Sequence, residues 1–415
     1  MLRRLKIWFL QLVQVFKKEL YLSFHDIGVV IFFVVLGLVY PILYALCYNT
    51  ETLRDVPVVI VDQSHSALSR EFTRMLDATP EVRIASFAPS LDRAKVAMHE
   101  KEAYAIVVFP ADFSHEVMRG KQAHVVFYMD MSVLMRYKQT LSAVTNVQQA
   151  MCAKLQGEKI SAVGMNMSGG VIENRQVPMG NTGMGIASAI LPAILVLVIQ
   201  QSMLLGICML RGGSRERRIF NGGIDPHEVK ASVGATLWGK TLCYILVYTL
   251  TVIFALLITP IFFDFPQNGN PFEILLFMLP LLIASSFMGQ SLQVLVNERE
   301  STFLVLVFTS VLFIFLSGVS WPRHAMSPLW IAVGNMIPST WACNGYILMA
   351  TDGASLNQVS QHYYMLWGLA AFYFVIAYLI ERFVCRPRYQ RMQYYAASDP
   401  DALRQEELRR NAADI

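Results

Sequence analysis

Charge is what this chain has least of. Only 15% of its 415 residues are Asp, Glu, Lys or Arg, where a soluble domain carries roughly a quarter. Hydrophobic residues make up 55%, and the mean hydropathy is +0.44. This balance excludes an ordinary water-soluble globule and requires contact with lipid. Catalytic and metal signatures are missing as well. His99-Glu100, His115-Glu116 and His227-Glu228 each lack a second histidine four residues after the first, so no zinc-binding H-E-x-x-H helix exists. No G-x-S-x-G nucleophile elbow occurs. The six cysteines, Cys47, Cys152, Cys208, Cys243, Cys343 and Cys385, are widely spaced and mostly inside apolar runs, which gives neither a disulfide framework nor a C-x-x-C metal pair. A cleavage signal is also lacking: the run from Ile27 to Cys47 is longer than a signal-peptide core, and no small-x-small site follows it. It reads as an uncleaved anchor.

What the chain does have is a series of uncharged apolar runs. Six are long enough to cross a hydrocarbon core, which takes roughly twenty helical residues: 27–47, 184–210, 242–263, 274–296, 301–319 and 363–380. None carries a formal charge, each of which would cost about 2.5 to 3.5 kcal/mol at a helix centre. Lysine and arginine flank these runs unevenly. Arg3, Arg4, Lys6, Lys17 and Lys18 precede the first, Arg211, Arg215, Arg217, Arg218, Lys230 and Lys240 lie between the second and third, and Arg382, Arg386, Arg388 and Arg391 follow the sixth. Asp264 to Glu273 has no basic residue, and the connection 320–362 has only Arg323. Six crossings therefore put every basic cluster on one side, with both termini expected in the cytoplasm. A seventh crossing at Ser327 to Ala350 would place the arginine-rich tail 381–415 outside.

Residues 1–26 alternate apolar Leu2, Leu5, Phe9, Leu12, Val13, Phe16 and Leu20 with Arg3, Arg4, Lys6, Gln11, Gln14, Lys17 and Lys18. This spacing predicts an amphipathic helix in the headgroup region, the plainer alternative being a helix packed on a soluble domain. Between the first two crossings, 48–183 is the one sizeable soluble region. Strand-like runs at Val56 to Val61, Val82 to Phe87, Tyr104 to Phe109 and Val125 to Met129 accompany helical patterns at Ser66 to Leu76, Leu91 to Glu102 and Ser132 to Leu155. The expectation is an α/β domain on the outer face, with Gly164 to Gly185 as its flexible return. The fold class is thus a mainly α membrane protein: six transmembrane helices with an extracytoplasmic α/β domain inserted between the first and second.

Gly234 to Thr241 is a literal match to the phosphate-binding pattern G-x-x-x-x-G-K-S/T. A phosphate cradle needs a buried strand before it and a soluble helix after it, whereas Asp225 to Ser232 is polar and the third crossing follows. The match is therefore expected to be fortuitous. The connection 211–241 carries more information. Arg215-Glu216-Arg217-Arg218 leads into Asn221-Gly222-Gly223, and Asp225-Pro226-His227-Glu228 offers an N-cap, a proline at the first helical position and a glutamate at the third. A short charged helix there could dock on a cytoplasmic partner; a solvated loop satisfying the positive-inside bias is the alternative.

After the fifth run the chain breaks at Ser317-Gly318 and continues as a proline-punctuated, nearly uncharged segment containing Pro322, Pro328 and Pro338. Water-exposed loops are not this apolar, so a re-entrant hairpin over 320–362 is expected. This hairpin, the charged connection with Pro226 and Gly239-Lys240, the Phe16-Lys17-Lys18-Glu19-Leu20 segment with Asp26, and Gln290 to Glu300 together resemble the permease subunit of type 2 ABC transporters (the ABC-2 class). The large region after the first crossing resembles the exporter subclass with an extended outer domain. The Gly-Thr step usual in the coupling region is replaced by Ile219-Phe220-Asn221-Gly222.

The resemblance implies a bacterial inner-membrane exporter subunit with no hydrolytic chemistry and no cofactor of its own, ATP and magnesium residing on a separate cytoplasmic ATPase. It also implies a second permease subunit, identical or paralogous, and allows a periplasmic adaptor and an outer-membrane channel. Arg215, Glu216, Arg217, Arg218, Asp225, Pro226, Glu228 and Lys240 are the expected coupling residues. Polar residues inside the crossings, Gln200, Gln201, Ser285, Ser286, Gln290 and Gln293, are candidate contacts for an amphipathic, drug-like or lipid-like substrate, or else hydrogen bonds between helices. A non-transporting receptor using the outer domain is the rival reading. An intramembrane enzyme would need a charged or metal-binding group that no crossing supplies.

Overall fold

In lipid a backbone without water must satisfy its own hydrogen bonds, and the uncharged runs do so as helices. The computed structural model describes residues 2–48, 53–162 and 185–398. The expected glycine-rich return falls outside them, apart from Gly185. Two compact units result, Met1–Asn49 with Met179–Ile415, and Thr50–Pro178.

Helix α1 (Leu2–His25) buries Leu12, Val15, Glu19 and Leu22, which recur on one helical face. This face lies about a quarter of a turn from the apolar stripe read in the sequence. Within that stripe Leu12 is buried, while Leu5 and Phe9 stay 56% and 60% exposed. A glycine on a later helix selects the packed face: a Cβ at Gly239 would come within 2.9 Å of the Leu12 carbonyl oxygen and of Val15. The two backbones meet where no side chain separates them. At Asp26 the chain turns, and the Asp26 carboxylate accepts from the Gly28 N–H at 3.2 Å to cap α2 (Ile27–Cys47), which contains a π turn at Ile31–Val35.

The second unit alternates strands and helices. β1 (Val56–Asp62), α3 (Ala67–Asp77), β2 (Val82–Phe87), α4 (Leu91–His99), β3 (Ala105–Phe109), α5 (Phe113–Met118), β4 (Val126–Met129) and α6 (Leu134–Ala162) form a sheet in the order β2-β1-β3-β4. β1 is parallel to β2 and β3, and β4 is antiparallel to β3. Strand periodicity sends Val58 and Ile60 to one face, with Phe72, Leu76, Val144 and Val147 of α3 and α6. Val59 and Val61 point to the other, with Ala94 of α4. Both faces are covered, which explains why β1 reads as a continuous Val/Ile run from Val58 to Val61.

The first unit resumes with α7 (Ile186–Phe220), α8 (Val233–Phe262, with a π turn at Ile253–Ile258), α9 (Pro271–Leu292) and α10 (Ser301–Leu316). Then come α11 (Pro328–Asn335), α12 (Pro338–Asp352) and α13 (Ser360–Ile380), the last continuing through a π turn into Arg386–Ser398. Among the described residues five helices are long and apolar enough to span: Ile27–Cys47, Ala187–Phe220, Val233–Phe262, Pro271–Leu295 and Ser360–Tyr394. α10 is apolar but has 16 residues, about 24 Å of rise. α7 and α9 are the most enclosed. Phe33 of α2 fills a slot left open by Gly206 of α7 and meets Tyr244 and Tyr248 edge-on, with centroids 5.6 and 5.3 Å away.

Candidate functional site

The second apolar run extends into a helix longer than lipid requires. At 1.5 Å per residue the 34 residues of Ala187–Phe220 rise about 51 Å, against a hydrocarbon core of about 30 Å. Arg211, Arg215, Glu216, Arg217 and Arg218 therefore stand on a rigid helical extension, which corrects the expectation of a loop beginning at residue 211. Arginine and glutamate are good helix formers. The helix stops only at Asn221-Gly222-Gly223, where Gly222 and Gly223 take φ of +61° and +83°.

The short helix expected at Asp225-Pro226-His227-Glu228 does not form; this segment is a turn. Asp225 does cap locally, accepting from the His227 N–H at 3.1 Å, but its carboxylate also accepts from Ser214 Oγ at 2.7 Å and from Arg217 Nε at 3.2 Å. These bonds fasten the turn to α7 in place of a new helix. Burial alone would raise the Asp225 carboxyl, but the hydrogen bonds from Arg217, Ser214 and the His227 N–H outweigh it and pull the group down to about 2. Beside it, Arg218 Nη1 reaches Glu228 Oε2 at 3.1 Å. Pro226 sits in the same turn.

A second knot centres on Arg299, which the sequence reading did not single out. Its guanidinium lies 2.8 Å from Asp26 Oδ2 and 2.9 Å from Glu216 Oε2, and its N–H donates to Glu216 Oε1 at 3.2 Å. One side chain thus ties the start of α2, the extension of α7 and the connection before α10. Gly212 makes the approach feasible, since a Cβ there would lie 2.9 Å from the Arg299 nitrogen. Arg215 hydrogen-bonds Asn297 of the same connection.

Gly234 to Thr241 lies inside α8, which is capped by Ser232, whose hydroxyl accepts from the Ala235 N–H at 3.4 Å. After the first turn its N–H groups are committed to helix bonds, so no phosphate cradle forms. Lys240 Nζ is 3.9 Å from Glu19 Oε1, and the buried Glu19 also accepts from Tyr244 Oη at 2.5 Å.

The intramembrane polar candidates gather around α9. Gln290 Nε2 donates to Thr241 Oγ1 at 2.9 Å and to Ser286 Oγ at 3.1 Å, and Thr241 and Ser286 are 2.9 Å apart. Ser285 donates to Gln200 Oε1 at 3.4 Å, and Thr309 to Gln201 Oε1 at 3.3 Å. Gln293 is buried, with its Oε1 lacking a hydrogen-bond partner. The bonds here join α7, α8, α9 and α10, and a substrate could reach Gln200, Ser286 or Gln290 only if those helices part.

Beyond α10, Gly318 turns at φ +90°, and a Cβ there would meet Arg323 Cγ at 2.7 Å. Pro322 precedes a short 3-10 turn, and Pro328 and Pro338 open α11 and α12 at positions where a missing N–H costs nothing. Arg323 bonds Asn335 and lies over Trp341, 5.4 Å from the ring centre. Trp341 Nε1 donates to the Asn335 carbonyl at 2.9 Å. α12, at 15 residues, rises only about 22 Å. Its buried side includes Cys343, Tyr346 and Met349, in the same core as α7 and α9.

Compared with known families, the sequence matches the family described as ABC-2 family transporter protein over residues 27–379. No curated protein matches the chain.

Proposed function

Because this chain belongs to the ABC-2 family of transporter proteins, a multi-pass membrane permease of an ABC transporter, we propose that it works as the exporter subunit of a bacterial inner-membrane system. In this reading α10 is the sixth crossing, both termini are cytoplasmic, and the α/β unit stands outside. Family membership implies an ATPase partner and a second permease, and the chain itself needs no cofactor. ATP and magnesium act on the ATPase. A periplasmic adaptor and an outer-membrane channel complete the assembly, which moves an amphipathic, drug-like or lipid-like substrate outward.

The observation that carries the proposal is the continuity of α7. It is one helix from the enclosed Gln200 to the arginines at its end, where Asp225, Glu228 and Arg299 hold it. In this mechanism the ATPase grips the extension at Arg215, Glu216, Arg217 and Arg218, with Asp225, Pro226, Glu228 and Lys240 framing the contact. Closure of the ATPase pair tilts the rod, breaks the bonds at Gln200, Gln201, Ser285, Ser286 and Gln290, and opens the buried Gln293 to the path. The hairpin with Gly318, Pro322, Pro328 and Pro338 closes the outer end. The exposed apolar face of α10, which includes Leu304, Phe308 and Val311, suits a second permease copy.

Co-purification tests this. The native ATPase should be retained by the wild-type permease and lost from an Arg215→Ala/Arg217→Ala variant that still elutes as a monodisperse species. Full retention by that variant overturns the docking site, and isolation from native membranes without any ATPase overturns the transporter reading.

A further inference from the structure

Where α1, α7, the 221–232 connection and α13 converge, there is a cavity of about 590 Å³. Its charged lining is unbalanced: Lys18, Arg211, Arg218, Lys230, Lys240 and Arg386 face it, against Glu19, Glu228 and Glu381. Two of the cations are already engaged, Arg218 with Glu228 at 3.1 Å and Arg386 with the Ala231 carbonyl at 2.6 Å. Arg211 is not. Only 7% exposed, it has no ion pair among the described residues, and its Nε is buried without an acceptor. Its guanidinium instead lies over Tyr389, 4.6 Å from the ring centre. Lys18 is half-buried and likewise unpaired among the described residues, and Lys240 comes no nearer to Glu19 than 3.9 Å. A guanidinium removed from water with no carboxylate in contact, Glu381 acting on it only from beyond ion-pair distance, is costly, and its planar donors match two oxygens of one phosphate.

We propose that this cavity binds a phosphate ester, with Arg211 as the central ligand and Lys18 and Lys240 at its sides. The chemistry fits an anionic phospholipid headgroup or a soluble phosphate ester. Binding is read on the permease alone, so the proposal fails or survives independently of the ATPase reading.

The test titrates the full chain, purified in a neutral detergent, with short-chain phosphatidylglycerol, short-chain phosphatidylcholine and glycerol 3-phosphate, following bound ligand by native mass spectrometry. Phosphatidylglycerol should bind saturably, with Arg211→Gln weakening it about tenfold, as expected on losing one charge-assisted contact. Arg211→Lys should weaken it less, and Lys18→Gln, on the half-buried side of α1, should also weaken it in a protein whose fold it leaves intact. Competition by glycerol 3-phosphate assigns the site to soluble esters, and its absence assigns it to lipid. Phosphatidylcholine binding as tight as phosphatidylglycerol, or Arg211→Gln and Lys18→Gln both binding like the wild type, overturns the proposal.

Discussion

Asp225→Asn should free the connection between α7 and α8 without unfolding the helices it joins. The substitution keeps the shape and a local acceptor for the His227 N–H, but removes the charge that Arg217 neutralises from a site where Asp225 is 1% exposed. The carboxyl is held at about 2, against an ordinary 3.8, and each unit of displacement is worth about 1.4 kcal/mol. The charge therefore contributes on the order of 2 kcal/mol to the folded turn at neutral pH. The sign follows from the direction of the shift. A depressed carboxyl stabilises fully above its unfolded value near 4 and loses that contribution as the pH falls towards about 2. Asparagine should therefore reproduce at pH 7 what acid does to the wild type in that window.

Hydrogen exchange is the suitable assay because the affected bonds are local: the Glu228 N–H to the Asp225 carbonyl at 2.8 Å and the Gly223 N–H to the Arg218 carbonyl at 2.7 Å. Their exchange should accelerate about thirtyfold, the equivalent of 2 kcal/mol, while amides in the middle of α7 and α9 stay unchanged. Unchanged exchange at Gly223 and Glu228 would show that the buried ion pair only offsets its own desolvation, and the anchoring role of Asp225 would be refuted.

Other perturbations address separate contacts. Gly206→Val should push Phe33 from its slot and lower the melting temperature in detergent by an amount equivalent to about 1 to 3 kcal/mol, the usual cost of overpacking; an unchanged melt would mean that α2 is not seated there. Gln290→Leu, measured the same way, should cost about 1 to 2 kcal/mol by leaving Thr241 and Ser286 with one partner fewer. Gly318→Ala should loosen the start of the hairpin through its left-handed backbone, seen as faster proteolysis near Arg323 with the core melt preserved.

Five of the six expected spans were legible because an uncharged run of twenty residues has few fates, and the four strands because Val and Ile clusters stand between polar turns. What the sequence concealed were helix ends and partners across long separations. Charge marks where lipid must stop, but α7 continues through Arg211 to Phe220 because those residues favour helix as well as water. The Asp225-Pro226 signature is a sound local start signal, overridden by tertiary bonds from Ser214 and Arg217. The Arg299 knot had no local signature at all, since Asp26 is 273 residues and Glu216 83 residues away along the chain. The packing face of α1 was hidden as well: hydrophobicity alone does not distinguish a side facing lipid from one facing protein, and a glycine on α8 made the choice.

The Arg299 knot makes a claim that single substitutions cannot test. Asp26 and Glu216 share one guanidinium, so each carboxylate gains from the cation and is repelled by the other. Removing the first charge loses an attraction but relieves that repulsion, whereas removing the second loses an attraction with nothing left to relieve. Asp26→Asn combined with Glu216→Gln should therefore destabilise by more than the sum of the single variants. The excess should be about 0.5 to 1 kcal/mol, a like-charge term discounted for solvent because Arg299 is about a third exposed. Asparagine at position 26 still caps α2, so the comparison isolates charge from helix initiation. Denaturant or thermal unfolding of all four proteins closes the cycle. Simple additivity would mean that the two carboxylates act through separate partners. A deficit would mean that Arg299 swings into water once either is gone, and both results remove the knot as the clamp between α2, α7 and the connection to α10.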